Sequence, residues 1–363
     1  MTHKGLATVA QLAQFDEILD ARSPAEYADD HLPGAVSRPV LDDAQRAHIG
    51  TLYKQVSPFE ARKQGAVLVA RNVAAHIEAH YLDKPKSWRP LVYCWRGGQR
   101  SGAFSHILRE IGWDAHRLEG GYKAWRRHVL ATLAEVPARL SFIVVCGPTG
   151  SGKSRLLTAL AARGAQVLPL EALAVHRGSL LGGLPDQPQP SQRAFETALG
   201  TRLAAFDPAR PVYVEAESRR IGRLHLPEAL VQAMHAGRCV CIDAPRAARV
   251  ALLLADYADL LDRRAWLARR LDAMRPLQGH ATVDRWQTLL VAGDFAVLAD
   301  ELLAQHYDPL YERSQRRDFT GYGSAPTLSS PTLDGAAIAG LAEALLVRDW
   351  SSAPFPESGS GKR

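Results

Sequence analysis

The chain of 363 residues is long enough for two ordinary domains or one large one. Its composition, 47% hydrophobic and 23% charged, is that of a soluble globular protein, and no apolar stretch approaches the ~20 residues that span a bilayer. We therefore expect no membrane partner, no signal peptide and a cytoplasmic location, while the net charge of +6 permits a nucleic-acid partner without establishing one.

Short apolar runs alternate with helical segments in two successive series along the chain. Strands are predicted at 17–20, 91–94 and 115–118 in the first series, and at 140–146, 166–168, 212–215 and 239–243 in the second. This alternation predicts an α/β fold with parallel sheets covered by helices. The predicted organisation is a domain at 8–130, a linker at 131–139, a second domain at 140–350 with a helical region from 245 to 274, and a disordered tail at 351–363.

The run Pro-Leu-Val-Tyr-Cys-Trp-Arg-Gly-Gly-Gln-Arg-Ser, which contains Cys94, is the most informative segment of the first half. An apolar strand ends at the cysteine, a loop with two glycines follows, and a helix comes next. Such a loop can turn successive N–H groups inward and form an anion-binding nest that favours thiolate over thiol. The predicted site residues are Cys94 as nucleophile and Arg96, Gly97, Gly98 and Arg100 as the anion loop.

Two families share this cysteine loop. The spacing Cys-x5-Arg-Ser from Cys94 to Ser101 fits the cysteine-phosphatase signature. The segments from Asp20 to Ala35 and from Leu118 to Trp125, however, resemble the two signatures of rhodanese-like sulfurtransferases. Three ordered matches favour the rhodanese resemblance. The loop is one residue longer than in plain rhodaneses, and the wider nest suits a whole phosphate-like oxyanion rather than a lone sulfur atom.

A Walker A sequence, G-x4-G-K-S, begins the second series. An apolar strand precedes it and a helical run follows it, as a P-loop requires. Backbone N–H groups of this loop hold a diphosphate, the lysine neutralises the outer oxygens, and the serine is available to Mg²⁺. The predicted phosphate-binding residues are Gly147, Thr149, Gly150, Ser151, Gly152, Lys153 and Ser154.

Two strand ends offer a carboxylate partner for this loop. Glu215 ends one predicted strand and Asp243 ends another. Either can serve as the metal-binding acid of a P-loop site, and either can instead cap a helix. The sequence leaves this choice open, and with it the presence of a metal.

With both signatures in this order, the chain resembles the tRNA 2-selenouridine synthase family over residues 8–345. The resemblance implies a rhodanese-like parallel-sheet domain followed by a P-loop NTPase-like α/β domain with a helical C-terminal region. It further implies conversion of wobble 2-thiouridine in tRNA to 2-selenouridine through an S-geranyl-2-thiouridine intermediate. The implied co-substrates are geranyl diphosphate and selenophosphate, and Cys94 is implied as the selenium carrier, an S-selanylcysteine.

The chemistry of these co-substrates suits the two loops. Selenophosphate is a tetrahedral anion for the Cys94 nest, and geranyl diphosphate carries a diphosphate for the Walker A loop. We therefore expect the P-loop to hold the prenyl diphosphate rather than primarily ATP. No tightly bound cofactor is expected. The expected partners are tRNA and, as a source of selenium donor, a selenophosphate-producing enzyme.

Two other function classes stay open at this point. One is a P-loop NTPase or kinase in which the rhodanese-like domain only relays sulfur. The other is a noncatalytic module that binds tRNA or protein, although the intact Cys94 and Lys153 argue against it. The sequence does not identify an RNA-binding surface. The seven arginines from Arg246 to Arg275 are as typical of a solvated helix face as of a surface that contacts RNA phosphates.

Overall fold

The computed structural model describes residues 5–179 and 181–350. The first strands are β1 (Leu6–Ala7), β2 (Glu17–Asp20), β3 (Ala35–Ser37), β4 (Pro90–Tyr93) and β5 (His116–Leu118). The first helices are α1 (Pro24–Asp29), α2 (Asp43–Gln55), α3 (Pro58–His80), α4 (Gln99–Ile111) and α5 (Gly121–Glu135). Two short 3-10 helices are formed by Val9–Gln14 and Pro137–Arg139.

The remaining strands are β6 (Phe142–Cys146), β7 (Gln166–Leu168), β8 (Val212–Glu215), β9 (Arg220–Ile221), β10 (Leu224–His225), β11 (Arg238–Asp243) and β12 (Thr327–Ser329). The remaining helices are α6 (Lys153–Ala162), α7 (Leu170–Leu173), α8 (Gln192–Ala204), α9 (Glu228–His235), α10 (Arg246–Asp256), α11 (Ala258–Leu261), α12 (Arg264–Asp272), α13 (Arg275–Gln278), α14 (His280–Ala292), α15 (Phe295–Leu302), α16 (Asp308–Asp318) and α17 (Gly335–Leu346). A π-helical turn, Leu303–Tyr307, separates α15 from α16, and Tyr322–Ser324 is a 3-10 helix.

Among the described residues, 5–132 and 190–201 form the first compact unit. Its five strands are all parallel, in the order β1-β5-β4-β2-β3, so β4 lies at the centre. All four residues of β4 are buried, which explains why this strand reads as a continuous apolar run. The carboxyl end of β4 therefore delivers the following residue, Cys94, to the middle of one sheet edge.

Among the described residues, 133–179, 181–189 and 202–350 form the second compact unit. Its main sheet is also parallel, in the order β12-β11-β6-β8-β7, with the Walker A strand β6 at the centre. Strands β7 and β8 lie on one side of β6, and β11 and β12 lie on the other. In open parallel sheets, ligands bind outside the carboxyl ends of the strands at the point where the strand order reverses in this way. Helices α10 to α16 follow β11, and within this region α12, α14 and α15 build a second apolar core around Trp286.

The α/β prediction with two parallel sheets is confirmed, and the structure adds detail to three of the predicted segments. The region predicted as helical from 245 to 274 consists of α10, α11 and α12, because the backbone leaves the helical conformation at Tyr257 and Arg263. Residues 131–139, predicted as a linker, are the end of α5 and a 3-10 helix. The tail predicted at 351–363 lies outside the described residues. None of the described helices is long and apolar enough to cross a membrane.

Candidate active site

Cys94 directly follows β4, and its side chain is only 3% exposed. The loop that comes next lasts until α4 begins at Gln99, and Gly97 turns it with a left-handed φ of 65°. Within the described parts of the chain, the N–H groups of residues 95–101 have no protein acceptor. The strand, loop and helix predicted around Cys94 are therefore present, with a row of N–H donors available to an anion.

Ser101 adds a side-chain partner to the cysteine. Its buried hydroxyl lies 3.1 Å from the Cys94 Sγ atom. The same hydroxyl donates a weaker hydrogen bond of 3.4 Å to the Gly98 carbonyl. Sequence reasoning assigned Ser101 no role, although the Cys-x5-Arg-Ser spacing was the signal that could have found it.

The two arginines of the loop differ in their surroundings. The Arg100 guanidinium donates to the Glu26 carboxylate at 2.6 Å, and although burial opposes it, this contact lowers the pKa of Glu26. Arg96 is exposed, and in the described part of the chain no ion pair or hydrogen bond is found for it. The positive charge of Arg100 is thus balanced by Glu26, while that of Arg96 is not balanced.

The glycine pair at the start of α5, Gly120 and Gly121, fits closely against the cysteine loop. The Tyr122 N–H donates to the Cys94 carbonyl at 2.8 Å, and the Lys123 N–H donates to the Trp95 carbonyl at 3.1 Å. A Cβ atom at Gly121, where φ is 57°, would lie only 2.2 Å from the Cys94 carbonyl oxygen. Glycine is therefore required there, and the segment after Leu118 that resembles a rhodanese signature holds the loop in place.

A buried polar cluster supports both sides of this loop. Arg22 and Asp20 form a fully buried ion pair at 2.6 Å, and the Tyr93 hydroxyl donates to Asp20 at 2.5 Å. The Arg22 guanidinium also lies 4.0 Å from the centre of the Tyr122 ring. The cluster thus joins the residue before Cys94 to the helix that donates to its carbonyl.

Substituting Arg22 with alanine is expected to lower the free energy of unfolding by about 3–5 kcal/mol, because it leaves the Asp20 carboxylate buried without its partner. Arg89→Ala is the matched control, since Arg89 pairs with Asp114 at the surface and should cost less than about 1 kcal/mol. Urea unfolding followed by circular dichroism measures both. Equal losses for the two variants would contradict a stabilising role of the buried pair.

The segment 190–201 contributes to the first unit although it lies far along the chain. Asp30 is buried and accepts hydrogen bonds from the Tyr122 hydroxyl at 2.7 Å and from the Thr197 hydroxyl at 2.9 Å. Burial raises the pKa of Asp30 despite these bonds. An ion pair between Arg126 and Glu196 reinforces the contact. No motif in the sequence indicated this attachment.

In the second unit, the Walker A loop joins β6 to α6 as predicted. A Cβ atom at Gly147, where φ is 142°, would lie 2.7 Å from the Ser151 hydroxyl and 2.8 Å from the Ile242 carbonyl. Gly150 and Gly152 also have left-handed φ values. Among the described residues, the N–H groups of residues 149, 150 and 152–154 have no acceptor, so the loop presents a second nest at a helix N-terminus.

The Lys153 side chain lies folded against this loop. Its ammonium group donates to the Gly147 carbonyl at 2.8 Å and to the Pro148 carbonyl at 3.2 Å, and it lies 4.6 Å from the centre of the Tyr311 ring. Burial lowers the pKa of Lys153, and the charges of Glu171 and Glu217 partly oppose this effect.

Three carboxylates from two segments, α7 and the end of β8, lie near Ser154. The Ser154 hydroxyl donates to Glu171 at 2.7 Å, and the Glu171 N–H donates to Glu215 at 2.7 Å. Glu217 is buried nearby, and burial followed by the charges of Glu171 and Glu215 raises its pKa well above the usual value. Asp243, the other predicted acid, is exposed and accepts from Ser329 instead. Glu171 was missed in the sequence because no motif surrounds it.

Burial, followed by the charge of Glu171, raises the pKa of Glu215 from 4.5 to about 8. The folded protein therefore keeps this carboxyl protonated where the unfolded chain ionises it, so stability falls as the pH rises from 4.5 to about 8. Glu215→Gln cannot ionise and should escape this loss. Urea unfolding of the apoprotein at several pH values should show the wild type losing a few kcal/mol relative to Glu215→Gln over this range. A difference in the free energy of unfolding between the two proteins that does not change with pH would contradict the buried protonated state of Glu215.

A cavity of about 980 Å³ opens over the Walker A loop. Its walls include the loop, Glu171, Glu217 and the segment around Gly178, where a Cβ atom would lie 2.0 Å from a Glu171 oxygen. An apolar cleft of about 90 Å³ adjoins it and shares several wall residues with it. The residues common to both are Thr149, Ser179, Leu253, Tyr257 and Tyr307. The cavity over the Walker A loop and an apolar cleft therefore lie side by side.

The arginines between Arg246 and Arg275 mostly have partners within the protein. The partners are Asp300 for Arg246, Asp308 for Arg249, Asp186 for Arg263, the Val291 carbonyl for Arg264, and both Asp272 and Asp284 for Arg275. These contacts stabilise the helical region. A role of this region in binding RNA stays a prediction.

Comparisons with known proteins agree with this architecture. Residues 6–128 match the model of the rhodanese-like domain, and residues 140–273 match that of the tRNA 2-selenouridine synthase AAA domain. A protein from Shewanella halifaxensis called tRNA 2-selenouridine synthase is 30% identical over 81% of this chain and 87% of its own length. One of the same name from Aeromonas salmonicida is 32% identical over 81% and 86%.

The chain belongs to the tRNA 2-selenouridine synthase family. A further relative of that name, from Nitrosomonas europaea, is 38% identical over 66% of this chain. The match spans 63% of the length of that relative. Membership of the family accounts for the order of the two domains and for the presence of both loops in one chain.

Proposed function

We propose that this protein modifies tRNA, converting 2-thiouridine at the wobble position to 2-selenouridine through an S-geranyl intermediate. The proposed substrates are tRNA, geranyl diphosphate and selenophosphate. The observation that carries the proposal is the pairing of a phosphate-binding loop with an apolar cleft in the second unit. A nucleotide needs a base and ribose site beside its phosphates, whereas a prenyl diphosphate needs an apolar groove.

In the first step, the Walker A loop holds the diphosphate. Its free N–H groups and Lys153 contact the phosphate oxygens, and neither reads a nucleobase. The donor set also fits Mg²⁺, which binds one or two carboxylates together with substrate phosphates. Ser154 and Glu171 would hold the ion, which would supply further positive charge to the departing diphosphate.

The bond changes of this step are balanced. The sulfur of 2-thiouridine attacks C1 of the geranyl group, a C–S bond forms, and the C–O bond breaks with its electron pair leaving on the diphosphate. The base loses its N3 proton, and Lys153 stabilises the charge that develops on the leaving group. S-alkylation then makes the sulfur a good leaving group, because it departs from C2 as a thiol.

In the second step, selenium replaces the alkylated sulfur at C2, and Cys94 is the nucleophile that mobilises selenium from selenophosphate. The burial of the thiol, the N–H groups without acceptors in the loop that follows it, and its contact with Ser101 support this role. A selenophosphate-producing enzyme is the source of the donor. Membership of the tRNA 2-selenouridine synthase family supports tRNA as the substrate.

The apolar cleft is expected to select the length of the prenyl chain. Leu254 lines it from α10, so Leu254→Trp should narrow it. We expect a KM for geranyl diphosphate at least ~10-fold higher and a shift in preference towards dimethylallyl diphosphate, with binding of inorganic diphosphate unchanged. Ala255→Trp is the control, since Ala255 is exposed on the same helix and outside the cleft. Similar KM values for the two variants would contradict the assignment of the cleft.

Geranylation with the purified full-length protein in the absence of any nucleotide tests the proposed function. Thiolated tRNA is incubated with geranyl diphosphate alone and then with selenophosphate, and the nucleosides are analysed by mass spectrometry. We expect S-geranyl-2-thiouridine in the first reaction and 2-selenouridine in the second. Strict dependence on hydrolysable ATP, without competition from geranyl diphosphate, would instead indicate an NTPase that relays sulfur.

A further inference from the structure

We infer that tRNA binds through a basic rim beside the cavity over the Walker A loop, where Arg220 and Arg313 each hold a backbone phosphate. The basic rim consists of Arg219 and Arg220, at the start of the β9–β10 hairpin, and of Arg313 and Arg317 on α16. The inference rests on the proposed function and deepens it, because it names the surface on which tRNA brings its thiolated base to the geranyl donor.

The two parts of the basic rim adjoin each other and the cavity. The Tyr311 hydroxyl on α16 donates at 3.1 Å to the carbonyl of Ala216, which follows β8, and both residues line the cavity. Arg313 lines the cavity from the same helix. Ser218 lines it from the other segment, and its hydroxyl donates to the Arg220 carbonyl at 2.7 Å. Two joined segments therefore carry arginines along one edge of the cavity.

Among the residues that the structure describes, the four arginines of the basic rim form ion pairs with two carboxylates. Arg219 pairs with Glu228 at 2.7 Å, and Arg317, which also lines the cavity, pairs with Asp318 at 2.7 Å. The hydrogen bond from Arg317 lowers the pKa of Asp318 against the effect of burial, and the charge of Arg219 adds to this effect. Two positive charges of the basic rim are thus balanced within the protein.

Arg220 and Arg313 supply the charge that is not balanced. Both side chains are exposed, and neither forms an ion pair within the described ranges of the chain. The Arg220 Nε atom donates to the Gly222 carbonyl at 2.6 Å, whereas the Arg313 guanidinium donates to no described residue. The terminal nitrogens of both guanidinium groups are therefore available for the paired hydrogen bonds that phosphate oxygens accept.

Other arginines of the second unit are less suited to RNA. Arg155 and Arg177 also line the cavity, but they pair with Asp256 and Asp259. Most arginines between Arg246 and Arg275 have acceptors within the protein as well. Attraction to RNA phosphates depends on positive charge that carboxylates of the protein do not neutralise. The excess charge of the basic rim therefore favours this surface.

A surface beside the cavity suits a base that must enter it. An unpaired base of an RNA loop can turn out of its stack into an enzyme pocket while its phosphates stay outside. Phosphates on the basic rim would hold such a base next to the cavity in which the Walker A loop is proposed to bind the prenyl diphosphate. Because these contacts are to the backbone, we expect them to set the affinity for tRNA without reading its sequence.

Equilibrium binding of thiolated tRNA to the full-length protein tests the basic rim. Fluorescence anisotropy of labelled tRNA is measured between about 50 and 200 mM salt. Arg313→Gln and Arg220→Gln should each weaken binding about 10-fold at low salt and reduce the salt slope by about 1. Arg313→Lys should keep the wild-type slope, because the positive charge remains. Arg316→Gln is the matched control, since Arg316 is exposed on α16, pairs with Glu312 and does not line the cavity. It should bind as the wild type does.

Binding of inorganic diphosphate, measured by calorimetry, separates an RNA phosphate from the diphosphate of the donor. Arg313→Gln and Arg220→Gln should bind inorganic diphosphate as the wild type does and keep its KM for geranyl diphosphate, which also shows that the variants are folded. Weaker binding of diphosphate with unchanged affinity for tRNA would assign these arginines to the donor and overturn the inference. Equal effects of Arg313→Gln and Arg316→Gln on tRNA affinity and salt slope would overturn it as well.

The reaction products test the proposed function separately. A wild-type protein that binds thiolated tRNA through the basic rim but forms no S-geranyl-2-thiouridine would overturn the proposed function and leave the binding surface intact. Geranylation by the wild type, with tRNA affinity and salt slope unchanged in Arg313→Gln and Arg220→Gln, would overturn the inference alone. A wild-type protein that does not bind thiolated tRNA would overturn both.

Discussion

Lys153→Ala is expected to reduce the rate of geranylation of thiolated tRNA by about two to three orders of magnitude, to a rate below ordinary detection. Lys153 is the buried cation of the Walker A loop, and its ammonium group reaches the two carbonyls where a diphosphate would meet the nest. Without it, the negative charge that develops on the departing diphosphate loses its main stabilising contact. Initial rates measured by nucleoside mass spectrometry give the size of the effect.

The same variant should still selenate tRNA that is supplied with S-geranyl-2-thiouridine already in place. Arg163→Ala is the control for loss of a positive charge near α6, because Arg163 follows that helix, pairs with Glu343 and does not line the cavity. It should geranylate at the wild-type rate. Loss of both steps in a folded Lys153→Ala protein would contradict separate sites for prenyl and selenium transfer.

Cys94→Ser is expected to have the opposite effect, abolishing selenation and sparing geranylation. A serine hydroxyl is a far weaker nucleophile than a thiolate near neutral pH, so selenophosphate is not opened. S-geranyl-2-thiouridine should then accumulate in tRNA to the level of the limiting substrate. Nucleoside mass spectrometry after a complete reaction with both co-substrates measures this accumulation.

Retained geranylation also shows that the Cys94→Ser protein is folded. Cys241→Ser is the matched control for loss of a thiol, because Cys241 lies half-buried on β11 in the second unit. That variant should selenate normally. A Cys94→Ser protein that forms 2-selenouridine at the wild-type rate would remove Cys94 from the reaction altogether.

The two nests are the features that the sequence predicted most completely. Each consists of a strand, a short glycine-containing loop and a helix that are contiguous in the chain, and each presents backbone N–H groups that have no acceptor among the described residues. The positions of Cys94 and Lys153 follow directly from this local order, and the structure has strand, loop and helix in both places. The parallel sheets could be predicted equally well, because strands that alternate with helices pair in parallel.

The surroundings of both nests depended on tertiary structure, because their residues are distant in sequence. Glu215 and Asp243 end strands on opposite sides of β6, so the strand order alone could not decide which acid lies near the Walker A loop. Glu171 decides it, because it accepts from the Ser154 hydroxyl and its N–H donates to Glu215. The attachment of 190–201 to Asp30 and the apolar cleft also arise only from packing. A sequence by itself determines contacts made within a strand-loop-helix unit, whereas side chains from separate segments become partners only when folding buries them together.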